Sequence, residues 1–203
     1  MSAAGGDARH RQRPAGGDAP TVVAIVGSPR RHGNTAYATG LAVAELERRG
    51  VGCETISLAK VRLDPCLAHD DCGTRERCPR RDDAEAVFDS VWAAIGLILA
   101  SPVFFATVSA QMKTFMDRTN HRYLHGPALH PKAVGLIAVG GQGGLKDTLR
   151  TMERYLEIMC PEMPTVETAS GIADKLGDAE KSDALRESVV AMAGRLADAL
   201  LQT

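Results

Sequence analysis

No apolar stretch among the 203 residues is long enough to cross a bilayer, which takes about 20 apolar residues in a row. A membrane-spanning helix is therefore excluded. An excess of one charge is missing too. Lys and Arg total 24 against 25 Asp and Glu, a formal charge of −1. A chain so nearly neutral is not built to grip nucleic acid, where neutralising phosphates drives binding. The first 20 residues have no apolar core of the secretory kind, so a cytoplasmic location is expected. Five Cys, an odd number at uneven spacing, suit a reducing compartment and do not make a disulfide scaffold. Lys is scarce, 6 against 18 Arg, while Ala reaches 30. We read that bias as the codon usage of a GC-rich genome, without functional content.

What is present reads as an average globular chain, 44% hydrophobic and 24% charged. This excludes bulk disorder, collagen and coiled coil. The length suits one domain with a tail, and it allows a large core without metals or disulfides. Residues 1–20 carry no aliphatic side chain larger than Ala after Met1, and AGGDA occurs twice, at 4–8 and 15–19. Burial there cannot offset the entropy of ordering, so 1–20 is expected to be a disordered tail and 21–203 the folded domain.

From residue 21 strands and helices alternate. Residues 21–26 are a continuous apolar run, as a buried parallel strand requires. Residues 34–49 follow as a helix with Ala38, Leu41, Ala42 and Leu46 on one face, and Gly50 ends it. Further strands are expected at 51–58, 94–100, 133–139 and 163–168. Helices are expected at 82–92, 109–118, 145–159 and 178–201. Residues 59–81 are irregular and carry Cys. Five strands separated by helices define an α/β fold, a parallel sheet in a three-layer sandwich with right-handed crossovers. In such sheets ligands sit outside the carboxyl ends of the strands.

Three loops should therefore carry the chemistry. The first, Gly27-Ser28-Pro29-Arg30-Arg31-His32-Gly33-Asn34-Thr35, joins a buried strand to a helix N-terminus. Hydroxyl and amide donors beside a helix dipole make an anion site, and Arg30, Arg31 and His32 add positive charge. It is neither a Walker A loop nor a G-x-G-x-x-G fingerprint. The plainer alternative is a capped turn with Asn34 or Thr35 as N-cap. The second loop spans 100–109, with Pro102, Val103, Phe104 and Phe105. Its aromatics either wall a flat ligand or pack in the core. The third, Gly140-Gly141-Gln142-Gly143-Gly144, allows close backbone approach to something planar, or is a mobile turn. Together they suit a phosphorylated planar cofactor.

GSPRRHGNT, SPVFFATVSAQMKTFMDRT and GGQGG, in this order, resemble the NAD(P)H-dependent FMN reductase family of the flavodoxin-like superfold. The likeness runs from about residue 21 to about residue 160. It implies a five-stranded parallel sheet of order 2-1-3-4-5, with FMN as cofactor and NAD(P)H as electron donor. The acceptor would be a quinone, a flavin or another small organic molecule. It implies that Ser28, Arg30, His32, Asn34 and Thr35 hold the FMN phosphate. Pro102, Val103, Phe104 and Phe105 would line the flavin ring, with Phe104 where the family has Tyr. Gly140, Gly141, Gln142 and Gly143 would approach the ring from the other side. Lys113, Asp117 and Arg118 match a family helix that supports dimer interfaces, or form a solvated face with a capping pair. A homodimer or homotetramer is expected, with Phe105, Val108, Met112 and Phe115 as the apolar surface that would drive it.

Cys66, His69, Cys72 and Cys78 form C-x2-H-x2-C-x5-C. The segment resembles the four-Cys stretch of iron–sulfur flavoproteins, with His69 in the place of the second Cys. Three thiolates and an imidazole could hold a cluster or Zn, yet relatives without a cluster also scatter Cys here. The reading adopted is no metal. Cys53 and Cys160 read as small core residues, Trp92 as core, and His121, His125 and His130 as loop or interface histidines. An electron-transfer flavoprotein serving partner proteins is the alternative function, though its kind is usually strongly acidic. A binding module without redox chemistry is a third possibility.

Overall fold

The computed structural model describes residues 22–202. The expected tail 1–20, and Thr21 of the first expected strand, lie outside the described residues. Strands β1 (Val22–Val26), β2 (Cys53–Ser57), β3 (Gly96–Pro102), β4 (Ala133–Gly140) and β5 (Thr165–Ile172) pair in parallel in the order β2-β1-β3-β4-β5. The helices are α1 (Asn34–Arg48), α2 (Ala84–Ala93), α3 (Ala110–Arg118), α4 (Asn120–His125), α5 (Leu145–Met159) and α6 (Asp183–Leu201), with a 3-10 turn at Asp178–Lys181.

The two-residue period of a strand divides the core. Val22 and Ala24 face Leu46 of α1 and Val189 and Leu196 of α6. Val23 and Ile25 face Phe88 of α2, Phe115 of α3 and Met152 and Leu156 of α5. This is the three-layer sandwich. Each fully buried Leu, Ile or Phe contributes about 1.5–3 kcal/mol, which is why strands so apolar are held at the centre.

Four expectations change. β5 runs on to Ile172 because β4 supplies its hydrogen-bond ladder; Ser170 and Gly171 gave no apolar signal at this sheet edge. Residues 120–125 add the short α4, which lacks a clear apolar period. The last helix starts at Asp183, where the Ser182 hydroxyl accepts the Leu185 N–H at 3.3 Å as an N-cap. The proposed dimer surface is mostly interior: Val108, Met112 and Phe115 are buried in this chain's own core, and of the four only Phe105 is exposed. Trp92 is half-buried, leans on Phe88 and donates its indole N–H to Pro127 O at 2.9 Å.

Candidate functional site

The loops after β1, β3 and β4 meet at the carboxyl end of the sheet. Gly27 N–H reaches Ala100 O at 2.7 Å, tying the first loop to β3. A Cβ on Gly27 would stand 2.8 Å from Met112 Cβ, so only Gly lets α3 approach this closely. Ser109 joins the pieces. It caps α3 by accepting Met112 N–H, it donates its hydroxyl to Gly27 O, and its N–H donates to the Ser101 hydroxyl.

In the first loop the buried Ser28 hydroxyl accepts Arg30 N–H at 3.1 Å. The N-cap of α1 is Gly33, with no side-chain cap, so the alternative of a turn capped by Asn34 or Thr35 does not hold. The first-turn N–H groups of a helix have no intrahelical partner, so they are left as donors at the positive end of the dipole.

Asn34 has a different role from the one expected. Its amide N–H groups donate to Ala173 O (3.2 Å) and Lys175 O (2.8 Å), and its oxygen accepts Gly177 and Ala179 N–H at 3.1 and 3.4 Å. The side chain is thus a clasp on segment 173–179.

The second loop folds back on itself. Phe104 N–H bonds Thr107 O and Thr107 N–H bonds Phe104 O, at 2.9 and 3.0 Å. Phe105 and Ala106 between them have φ of +48° and +59°, a hairpin corner in the left-handed region. Neither aromatic is core: Phe105 is fully exposed and Phe104 is 47% exposed. Positive φ at a bulky residue stores strain, and such strain concentrates at working sites.

A cleft of about 210 Å³ opens between the loops. Ser28, Arg30, Asn34, Thr35, Pro102, Val103, Phe104, Gly140 and Gly141 line it. His32, Phe105, Gln142 and Gly143 stand outside its lining. Pro29 and Gly33 of the first loop also line it, together with Val139, Ala173 and Asp174, which no local pattern marks. Asp174 packs on Gly141, where a Cβ would collide with its carboxylate. The sequence pattern ends the fifth strand at 168, whereas β5 runs to Ile172 and brings 173–174 to the strand ends.

A second cavity, of about 250 Å³, gathers Cys66, His69, Cys72 and Cys78 with Arg118 and His121. Ala68 N–H donates to Cys66 Sγ at 3.3 Å, with Ala68 at φ +48°. Asn120 donates to Cys72 Sγ and Arg118 to Cys78 Sγ, both at 3.8 Å. Arg118 does not lie on an outer face. Its guanidinium is 3% exposed, pairs with the fully buried Asp82 carboxylate and donates to Asp64 O at 2.7 Å. Burial opposes the Asp82 charge, but hydrogen bonds from Arg118 and from the Asp64 and Ala84 N–H groups outweigh it, leaving the carboxyl below its usual range. Lys113 and Asp117 form an exposed ion pair.

His121 and His125 stack with ring centroids 4.6 Å apart, and their Nε2 atoms contact Arg75 O and Cys72 O at 3.0 and 2.7 Å. They hold the Cys segment in place. Cys53 and Cys160 are buried elsewhere, which pushes their thiols up to about 12 and about 11. Among the described residues no group of three His, Cys, Asp or Glu gathers closely enough for a single metal ion. Among them also, no helix is long and apolar enough to cross a membrane.

The fold is that of flavodoxin-like oxidoreductases. RosB with a bound 8-demethyl-8-formylriboflavin-5'-phosphate overlays with a TM-score of 0.72 at 15% identity, over 90% of this chain and 79% of that one. The NAD(P)H:quinone oxidoreductase of Methanothermobacter marburgensis overlays at 0.66 and 16% identity, over 90% and 96%. Residues 20–175 match the profile of the NADPH-dependent FMN reductase family. An iron–sulfur flavoprotein of Methanocaldococcus jannaschii is 37% identical over 68% of this chain and 72% of its own length. One of Archaeoglobus fulgidus is 36% identical over 67% of this chain, which spans 62% of that relative. The chain belongs to the NADPH-dependent FMN reductase family, in its iron–sulfur flavoprotein branch.

Proposed function

We propose that the chain is an FMN-dependent oxidoreductase that draws electrons from NAD(P)H and delivers them to a quinone, a flavin or another small organic acceptor. The observation that carries this reading is the cleft between three loops, with an uncapped helix N-terminus, a buried Ser28 and Arg30 at one side. The residues present fit FMN. The donors of α1 and Ser28 suit a phosphate, and Gly140 and Gly141 line the cleft at positions where a Cβ would collide with Val103 and Asp174. When bound, FMN supplies the hydride and electron chemistry; the protein positions it.

In this reading Arg30 neutralises the phosphate, and the first-turn N–H groups of Asn34 and Thr35 hold its oxygens. Phe104 and Val103 wall the ring. Asp174, held between the two carbonyls that Asn34 clasps, accepts hydrogen bonds from the sugar-alcohol hydroxyls. The exposed Phe105 at the hairpin corner suits a second subunit closing over the ring, as a homodimer or homotetramer. Light scattering giving a stable single-chain mass near 21.6 kDa would refute that closure.

Purified protein loaded with FMN should be yellow and bleach on addition of NADPH or NADH. A loaded protein that neither nucleotide bleaches would leave the alternative, an electron-transfer flavoprotein serving partner proteins. The iron–sulfur flavoprotein relatives favour that alternative.

Two substitutions separate the roles in the cleft. Arg30→Ala should weaken FMN roughly tenfold or more, because a charged hydrogen bond contributes about 1.5–3 kcal/mol. That loss should shrink in high salt, and riboflavin binding should not change. Asn34→Ala should weaken FMN and riboflavin together, because it frees segment 173–179 and does not remove a phosphate contact. Fluorescence titrations with both flavins read this. An Asn34→Ala effect confined to FMN would return its amide to the phosphate.

A further inference from the structure

We propose that the cavity between Arg62, Arg80 and Arg81 binds the phosphate group of an organic phosphate monoester, at a site outside the cleft between the three loops. This does not rest on the FMN reading, since cavity and cleft share no lining residue.

The cavity, of about 340 Å³, is formed by the segment that follows β2. β2 pairs in parallel with β1, so its carboxyl end opens at the same end of the sheet as the cleft. Three guanidiniums line the cavity against one carboxylate, that of Asp64. Asp64 Oδ2 meets Arg62 Nη2 and Arg80 Nη2, each at 3.1 Å, so two cations share it. Arg81 is exposed and has no partner among the described residues. The next carboxylates along the chain are committed and do not line the cavity. Asp82 pairs with the buried Arg118, and Asp83 accepts the Arg62 backbone N–H at 2.7 Å. The lining therefore carries an excess of two positive charges.

Arg80 is short of acceptors. Its side chain is only 21% exposed, and its buried Nε–H has no partner among the described residues. A guanidinium offers more N–H donors than one shared carboxylate can serve. In so dry a place a charged hydrogen bond is stronger than in water. A phosphate monoester is the matching anion. It carries about 1.5–2 negative charges at neutral pH and three acceptor oxygens, and guanidinium forks grip it bidentately. A carboxylate would neutralise only one of the two charges. The body of the ligand has a place as well. Leu67, His69, Pro79 and Arg80 line both this cavity and the one that gathers the Cys residues, so the two adjoin. Leu67 is 61% exposed at that junction, apolar surface that a ring carried on the phosphate would cover.

The test is calorimetric titration of the full chain, with excess FMN added to occupy the cleft. Phenyl phosphate should bind more tightly than inorganic phosphate, which lacks the ring, and than benzoate, which lacks the second charge. Arg80→Ala and Arg81→Ala should each weaken phenyl phosphate roughly tenfold. Arg77→Ala removes the same charge from the same segment outside the cavity and should change nothing. Thermal unfolding checks each variant; the exposed Arg81 carries the test if Arg80→Ala does not fold. Displacement of phenyl phosphate by NADP+ but not by NAD+ supports the site and gives it the phosphate of the dinucleotide donor. Displacement by neither supports it as a site for a free organic phosphate. A wild type that binds no phenyl phosphate at millimolar concentration would overturn the site. An equal loss in Arg77→Ala would also overturn it, by reducing the effect to diffuse charge. A loss confined to Arg30→Ala would overturn it too, and would show that the anion sits in the cleft and that FMN does not fill it.

Discussion

Arg118→Leu should destabilise the fold by about 3–5 kcal/mol, the usual cost of breaking a buried ion pair from one side. The pair is almost dry, with guanidinium and carboxylate 3% and 0% exposed. Leu leaves the Asp82 carboxylate buried with only the Asp64 and Ala84 N–H groups as donors. It also frees the Asp64 carbonyl at the root of the Cys segment. Urea unfolding at neutral pH measures the loss. The double variant Asp82→Asn with Arg118→Leu should recover part of it, because no unpaired charge then remains.

The pH dependence follows from the same pair. The Asp82 carboxyl is lowered in the folded state, so its contribution is complete above the ordinary Asp value of about 3.9. It fades as pH falls below that value towards the folded one. The gap between wild type and Arg118→Leu should therefore narrow in acid. A gap that is constant from neutral pH to pH 3 would show that the charge pair is not its source.

Gly144→Val should cost about 3 kcal/mol and abolish tight FMN binding. Gly144 has φ +75°, a conformation costing an L-residue about 1–2 kcal/mol. A Cβ there would lie 2.6 Å from Ala106 Cα and 2.9 Å from Val103 Cγ1. Overpacking of this kind costs about 1–3 kcal/mol. The Ala106 contact is backbone, so the relief must come from moving the hairpin that carries Phe104 and Phe105. Gly143→Val is the control for stability, since a Cβ there meets nothing within 4 Å. Thermal unfolding with flavin titration on both variants measures the two effects. Equal melting temperatures for the two variants would refute the packing argument.

The order of the elements was legible because it depends on local pattern. Apolar runs such as 22–26 and 133–139 can only be strands buried on both faces, and the helices between them impose parallel crossovers. The three loops were legible for the same reason, since a parallel sheet places their strands' carboxyl ends side by side. The grouping of Cys66, His69, Cys72 and Cys78 was likewise visible as spacing.

What the sequence could not reveal depends on contacts between distant residues. Asn34 looked like a phosphate donor in its loop, but its partners lie about 140 positions away, on a segment brought near only by the pairing of β5 with β4. Val108, Met112 and Phe115 had the apolar character of an interface; α3 packs them inward, while Phe105 projects from a left-handed corner that no local propensity signals. Arg118 carried no mark of burial, and only the meeting of α3 with the start of α2 gives it Asp82 as a partner. Local sequence determined the strands, the crossovers and the site's position at the end of the sheet, because each follows from a short run of residues. Which side chains face a ligand and which hold the fold together was decided by tertiary structure, because a polar group takes whatever partner folding brings within reach.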